Sequence, residues 1–272
     1  MGDGRWEMGD GRPHLTMIKE QFNQNGVVIL KGHLSQARMT RLDEAKRQLD
    51  HEHAISGDAI RNARFYMGPW PAAIDDLEHW PEIVALVREL IGDSIALYYR
   101  RFLIKDARFK GSVAAHQDLP YWHGGLEKIH LFIPVSPNTV QNGYLRFYAG
   151  SHRYGLIGQG DIEAERFSGI QEVYDDLYPG DVVIMDNRTW HYSKPAEVDE
   201  PRYLIQLMYQ PSSDGSYVGK PTPISGQWQT DLRFHENDAL IYANVNKYIK
   251  ENADLKEKVA ALEAQIADGS KA

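Results

Sequence analysis

Ser94-Ile95-Ala96-Leu97-Tyr98-Tyr99-Arg100-Arg101-Phe102-Leu103-Ile104-Lys105 reads as a β-strand, and it marks where the chain changes character. Before it the signals are helical. Leu15 to Gln24 suits a short helix. Ser35 is a good N-cap for a helix to about His53, with Met39, Leu42, Ala45 and Leu49 at helical spacing. Pro81 to Leu90 suits another helix, stopped by Gly92. One buried strand, Gly26 to Gly32, is bounded by its glycines. His53 to His79 is irregular, and its Trp, Pro and Gly content reads as a long loop. After Lys105 come Lys128 to Val135, Tyr144 to Tyr148, Val182 to Met185 and Tyr203 to Tyr209, separated by turns such as Asn142-Gly143 and Pro179-Gly180. Helices first and short strands after predict a mainly β fold with flanking helices, an antiparallel barrel or jelly roll.

The chain has 272 residues, enough to bury a sizeable core in one or two domains. It has no cysteine, which excludes disulfides, cysteine-ligated zinc, iron–sulfur clusters and thiol nucleophiles. Any metal must be held by His, Asp, Glu or water, and 11 histidines make such a site worth seeking. A formal net charge of -8 argues against nucleic acid as a partner. No apolar run approaches the ~20 residues that span a bilayer. The opening MGDGRWEMGDGRPHL lacks the apolar segment of a signal peptide, so a cytoplasmic location is expected. Residues 1–12 repeat MGDGR and read as a disordered tail. Residues 211–235 are rich in Pro, Ser and Gly, and Ser212 to Trp228 is a candidate lid. Residues 236–272 read as a C-terminal helix, with Leu255, Val259, Leu262 and Ile266 alternately four and three apart. Two heptads leave it either docked on the domain or paired in a homodimer.

The chemistry concentrates in Ala114-Ala115-His116-Gln117-Asp118-Leu119-Pro120-Tyr121-Trp122. His and Asp two apart on an extended segment point to the same side. Imidazole and carboxylate suit iron(II), and two His with one carboxylate leave coordination positions open. His191 closely follows the strand Gly180 to Met185, late in the chain. Arg202 lies 11 residues further on and enters the next strand, where a guanidinium fork suits a dicarboxylate. Each residue alone has an ordinary structural explanation; order, spacing and strand context together point to a site.

His116-Gln117-Asp118 leads to Tyr121-Trp122. Asn142-Gly143-Tyr144-Leu145-Arg146 runs into Gly150-Ser151-His152-Arg153, followed by Pro179-Gly180-Asp181, His191 and Arg202. Over roughly Val27 to Gln210 this ordered set resembles the phytanoyl-CoA dioxygenase family of iron(II)- and 2-oxoglutarate-dependent oxygenases. The resemblance implies a double-stranded β-helix core (jelly roll, cupin-like); with the tail and the C-terminal helix set apart, residues 13–235 are expected to form the oxygenase domain. It implies that His116, Asp118 and His191 bind Fe(II), that Arg202 pairs with the distal carboxylate of 2-oxoglutarate, and that Ser193 adds a hydrogen bond there. O2 is then the second cosubstrate, succinate and CO2 are released, and a C–H bond of a small-molecule substrate is oxidised, most simply by hydroxylation. Asp118 stands where related halogenases lack a carboxylate, which argues against halogenation. His152 is expected to be structural.

By alternation His130, Phe132 and Pro134 share a face. If that face points inward, His130 reaches the C1 carboxylate of 2-oxoglutarate or the substrate. Phe132 stands where the family often has Trp. Substrate contacts are expected from Tyr99 and Arg101 on one face of the first strand, or from Tyr98 and Arg100 on the other. Arg100-Arg101 suits an anionic group. Tyr66, Trp70, Trp80, Tyr121 and Trp122 are candidates for the mouth, and Gln206 shares the inward face of Arg202. Two other readings remain at this stage: a jelly-roll protein that binds metal or ligand without turnover, and an oxygenase acting on a peptide.

Overall fold

The computed structural model describes residues 15–55, 65–66, 70–107, 110–122, 125–156, 169–214, 222–225 and 258. In chain order the elements are α1 (Leu15–Asn25), β1 (Val27–Leu30), α2 (Gln36–Ile55), β2 (Phe65–Tyr66) and α3 (Pro81–Ile91). Then come β3 (Ile95–Lys105), β4 (Val113–His116), β5 (Ile129–Pro134), β6 (Leu145–Tyr148) and β7 (Glu172–Val173). β8 (Val182–Asp186), β9 (His191–Ser193), β10 (Arg202–Pro211) and β11 (Thr222–Ser225) complete them. The helix ends follow from local chemistry. The Ser35 hydroxyl accepts the Arg38 backbone N–H at 3.4 Å, capping α2. Gly92, at φ +98°, closes α3 in a conformation that only glycine adopts readily.

Among the described residues the strands form two antiparallel sheets. The larger runs β1-β8-β5-β10-β3-β11, with β2 beside β3; the smaller runs β4-β9-β6-β7. Every residue of β5 and β8 is buried, because both faces of the large sheet are covered. Alternation decides which side chain goes where. Leu131, Ile133, Ile205 and Leu207 join Ile18, Phe22, Leu42 and Leu49 in a core beneath the helices. Phe132, Val183, Met185 and Leu204 point the other way and pack on Leu145 and Phe147 of the small sheet. β10 pairs with β3 on one side and β5 on the other. Its register with β3, Arg202↔Lys105, Leu204↔Leu103 and Gln206↔Arg101, sets the floor between the sheets.

The strands expected from sequence appear within a residue or two. β2, β4, β7, β9 and β11 are added: they have two to four residues each, too short to show a period. β11 falls within the stretch expected to form a lid, yet Thr222–Ser225 pairs with the edge of β3, and Ser225 Oγ donates to the Asp93 carbonyl at 2.7 Å. The expected tail 1–12 and, apart from Lys258, the helix 236–272 lie outside the described residues, as do residues 215–221 and 226–228 of the lid. Among the described residues no helix is long and apolar enough to cross a membrane.

Gly26 joins α1 to β1 at φ +70°, and its carbonyl accepts both the Thr189 hydroxyl and the Asp186 N–H at 2.8 Å. A Cβ there would meet Thr189 Oγ1 at 2.5 Å and crowd the His152 ring. Gly26→Ala is therefore expected to destabilise the fold by at least ~1–3 kcal/mol, the cost of a strained left-handed residue, before the clash is counted. Chemical denaturation checks this; an unchanged midpoint would contradict the packing described.

Candidate metal centre

β4 and β9 are neighbours in the small sheet, and His116 and His191 are direct ladder partners with ring centroids 4.4 Å apart. The third member arrives differently from the expected extended segment. His116 ends β4, and Asp118 is already in a turn, at φ -79° and ψ -24°. Pro120 presets the backbone of the following 3-10 turn, Leu119–Tyr121. The Leu119 N–H donates to the Asn187 carbonyl at 2.9 Å, and the Gln117 amide donates to the carbonyls of Gly155 and Arg188 at 2.7 Å. These bonds turn the Asp118 carboxylate back toward the histidines. One ligand atom from each of His116, Asp118 and His191 then lies within 4.8 Å of the others.

The protonation pattern follows from hydrogen bonding. His116 Nδ1 lies 2.8 Å from the Ala114 carbonyl, and His191 Nδ1 lies 3.0 Å from the Thr189 carbonyl. A carbonyl only accepts, so both Nδ1 atoms carry a proton, and each Nε2 faces Asp118. Their Nε2 atoms are 3.4 and 3.9 Å from its oxygens. Burial, and then the His116 ring, push His191 down to about 4, so it is neutral at neutral pH. Burial alone would raise the Asp118 carboxyl, but the imidazoles of His130, His116 and His191 outweigh it and hold it well below the usual carboxylate range. Two imidazoles and one carboxylate on a single face form a donor set for a divalent metal.

His130 does not line the cavity, contrary to the expectation that it touches cosubstrate or substrate. It lies behind Asp118, fully buried, where it steers the carboxylate. Arg101 Nε can only donate, so Gln206 turns its Oε1 toward it at 2.7 Å. Gln206 Nε2 therefore faces His130 Nδ1 at 3.0 Å, which must accept. His130 Nε2 carries the proton and points between Asn187 Oδ1 at 3.0 Å and Asp118 Oδ2 at 3.3 Å. Partners of this kind orient the carboxylate that meets the metal.

A cavity of about 460 Å³ opens in front of the cluster. Arg202 lines it, only 2 % exposed, with Nη1 donating to Asn138 Oδ1 and to the Gly143 carbonyl at 2.8 Å each. Gly143 sits at φ +77°, so the Asn142-Gly143 turn also presents a carbonyl to the arginine. Ser193 Oγ is buried on the same wall without a hydrogen-bond partner among the described residues. Arg101, Tyr121, Trp122, Phe132 and Gln206 line the cavity. Tyr99 does not: it lies beneath, its ring 4.8 Å from the Arg101 guanidinium and 4.7 Å from Trp122. Arg100 faces the helices, paired with Glu78 and Asp75. Trp70 and Trp80 belong to that core rather than to a mouth, and the Tyr66 side chain lies outside the described residues. His152 is structural, its Nε2 3.1 Å from the Asn23 carbonyl. Lys105, two alternations from Arg101 and on the same face, also lines the cavity, and its ammonium donates to the Lys194 carbonyl.

The model of the phytanoyl-CoA dioxygenase family matches residues 22–203. A methylphosphonate hydroxylase from Gimesia maris is 27% identical over 210 residues, covering 72% of this chain and 80% of that protein. A 2-aminoethylphosphonate dioxygenase from an uncultured bacterium is 22% identical over 215 residues, covering 72% and 82%. Among solved structures, EctD from S. alaskensis with 2-oxoglutarate and 5-hydroxyectoine superposes with a TM-score of 0.65 at 22% identity. That match covers 83% of this chain and 88% of the other, and it shows a shared fold.

His130→Leu is expected to weaken divalent metal binding ~10–100-fold with the three donor residues intact, the usual cost of losing a group that orients a ligand. Competition titration with a metallochromic chelator checks this, with circular dichroism as the control for folding. Unchanged affinity would show that Asp118 needs no such support.

Proposed function

The chain belongs to the phytanoyl-CoA dioxygenase family of iron(II)- and 2-oxoglutarate-dependent oxygenases, and from that premise we propose that it hydroxylates a C–H bond of a small-molecule metabolite. The observation that carries the reading is the pair of Nδ1-anchored histidines aiming Nε2 at one carboxylate, beside a cavity with an arginine at its far end. His116, Asp118 and His191 would hold the iron. Arg202 and Ser193 would hold the distal carboxylate of 2-oxoglutarate. The residues fit that group: the orphaned Ser193 hydroxyl lacks an acceptor that a carboxylate supplies, and Arg202 is held rigid by Asn138 and Gly143. When bound, iron(II) and 2-oxoglutarate supply the oxidising power from O2, with release of succinate and CO2.

The chain's own residues bind, orient and exclude water. The Ala114 and Thr189 carbonyls fix the Nδ1 protons, which leaves each Nε2 directed at the metal position. The rigid guanidinium sets the angle of the diacid. Phe132 and Trp122 wall the cavity with apolar surface, shielding the reacting carbon. The relatives named above are named for small molecules, which supports a metabolite over a peptide.

Metal-free protein given iron(II) and 2-oxoglutarate without O2 is expected to develop a weak visible metal-to-ligand charge-transfer band. His191→Ala is expected to abolish it. Arg202→Ala should raise the 2-oxoglutarate requirement at least ~10-fold, since a charge-assisted bidentate pair is worth more than ~1.4 kcal/mol. Iron binding without a band in the wild type would favour a protein that holds metal without turnover. An unchanged requirement in Arg202→Ala would remove that residue from the cosubstrate site.

A further inference from the structure

The β3/β10 ladder gives the cavity floor two polar ends. Arg202 and Lys105 face each other at one end, and Gln206 and Arg101 at the other. Leu103 and Leu204 lie between them as an apolar step. Four residues along a strand is about 13 Å at ~3.3 Å per residue. The carboxyl carbons of an extended five-carbon diacid are only about 5 Å apart, from C–C bonds of ~1.5 Å. One diacid anchored on Arg202 leaves the second end for another group.

Charge points the same way. Among the described residues lining the cavity, Arg101, Lys105 and Arg202 are cations and Asp118 is the one carboxylate. A lining of this sign complements an anionic ligand better than a neutral or cationic one.

Arg101 is built to receive that anion. Its guanidinium lies over the Tyr99 ring at 4.8 Å and near the Trp122 ring at 5.7 Å, while its Nε donates to Gln206. Stacking engages the faces of the fork and hydrogen bonding engages its edge, so its direction is set before ligand arrives. A single carboxamide separates it from Asp118, for Gln206 Nε2 is 3.4 Å from Asp118 Oδ2. An oxyanion on Arg101 therefore brings its neighbouring carbons toward the cluster, against Tyr121, Trp122 and Phe132.

We propose that Arg101, aimed by Gln206, anchors the substrate through a phosphonate or carboxylate group, and that the substrate is a short organic anion oxidised at a carbon close to that charge. This rests on the oxygenase reading above and names its substrate class.

The test uses the full chain loaded with iron(II) and 2-oxoglutarate without O2, with methylphosphonate, propionate and the uncharged dimethyl methylphosphonate as probes. Binding is read by calorimetry and by the shift of the charge-transfer band. At least one of the two anions is expected to shift the band and bind at least 10-fold more tightly than the neutral ester; which one separates phosphonate from carboxylate. Arg101→Gln should erase that preference while the 2-oxoglutarate affinity changes less than threefold, and Arg101→Lys should restore part of it. A band with no preference for either anion overturns the proposal and leaves the oxygenase reading standing. Loss of 2-oxoglutarate affinity in Arg101→Gln, with probe binding intact, overturns it by assigning Arg101 to the cosubstrate. Absence of any band in the wild type removes both.

Discussion

One carboxylate surrounded by three imidazoles organises this molecule. Asp118 is almost wholly buried, yet its carboxyl is held below the usual carboxylate range, first by His130, whose Nε2 lies 3.3 Å from Oδ2. An isolated buried carboxylate would cost several kcal/mol and would take up a proton instead. Here each imidazole has its proton placed by a second contact. The Ala114 and Thr189 carbonyls fix two rings and Gln206 fixes the third. The result is a group whose charges and lone pairs are directed before any metal arrives, the condition under which binding energy is not lost to reorganisation.

The fold exists around that requirement. The two histidines come from adjacent strands of the small sheet, while His130 and Gln206 come from adjacent strands of the large one. The carboxylate between them bridges the layers. The helices cover the outer face of the large sheet, so its strands are buried on both sides and resist distortion. Arg202 and Gln206 sit four residues apart on the central strand, so one element sets both ends of the cavity.

Much of this was legible in the chain. Long periodic segments gave the helices and major strands their correct limits, and His116, Asp118, His191, Arg202 and Ser193 all meet at one cavity. Alternation tells which face a side chain takes but not how deep it lies. His130 does share the inward face with Phe132, yet Asp118 comes between it and the cavity. Tyr99 fails for the same reason, covered by Arg101 and Trp122. The choice between Arg100 and Arg101 depended on Glu78 and Asp75, whose pairing with Arg100 sequence alone does not reveal. Lys105 was within reach of the same alternation that selected Arg101. The turn at Asp118 was not read from the pattern, although Pro120 marks it.

The most direct test of the central claim is a crystal structure grown without O2 in the presence of iron(II) and 2-oxoglutarate. Iron is predicted to be bound by Nε2 of His116, Nε2 of His191 and a carboxylate oxygen of Asp118, with His130 still turned to Asp118 from behind. Iron bound through either Nδ1, or found away from these three residues, would contradict the account.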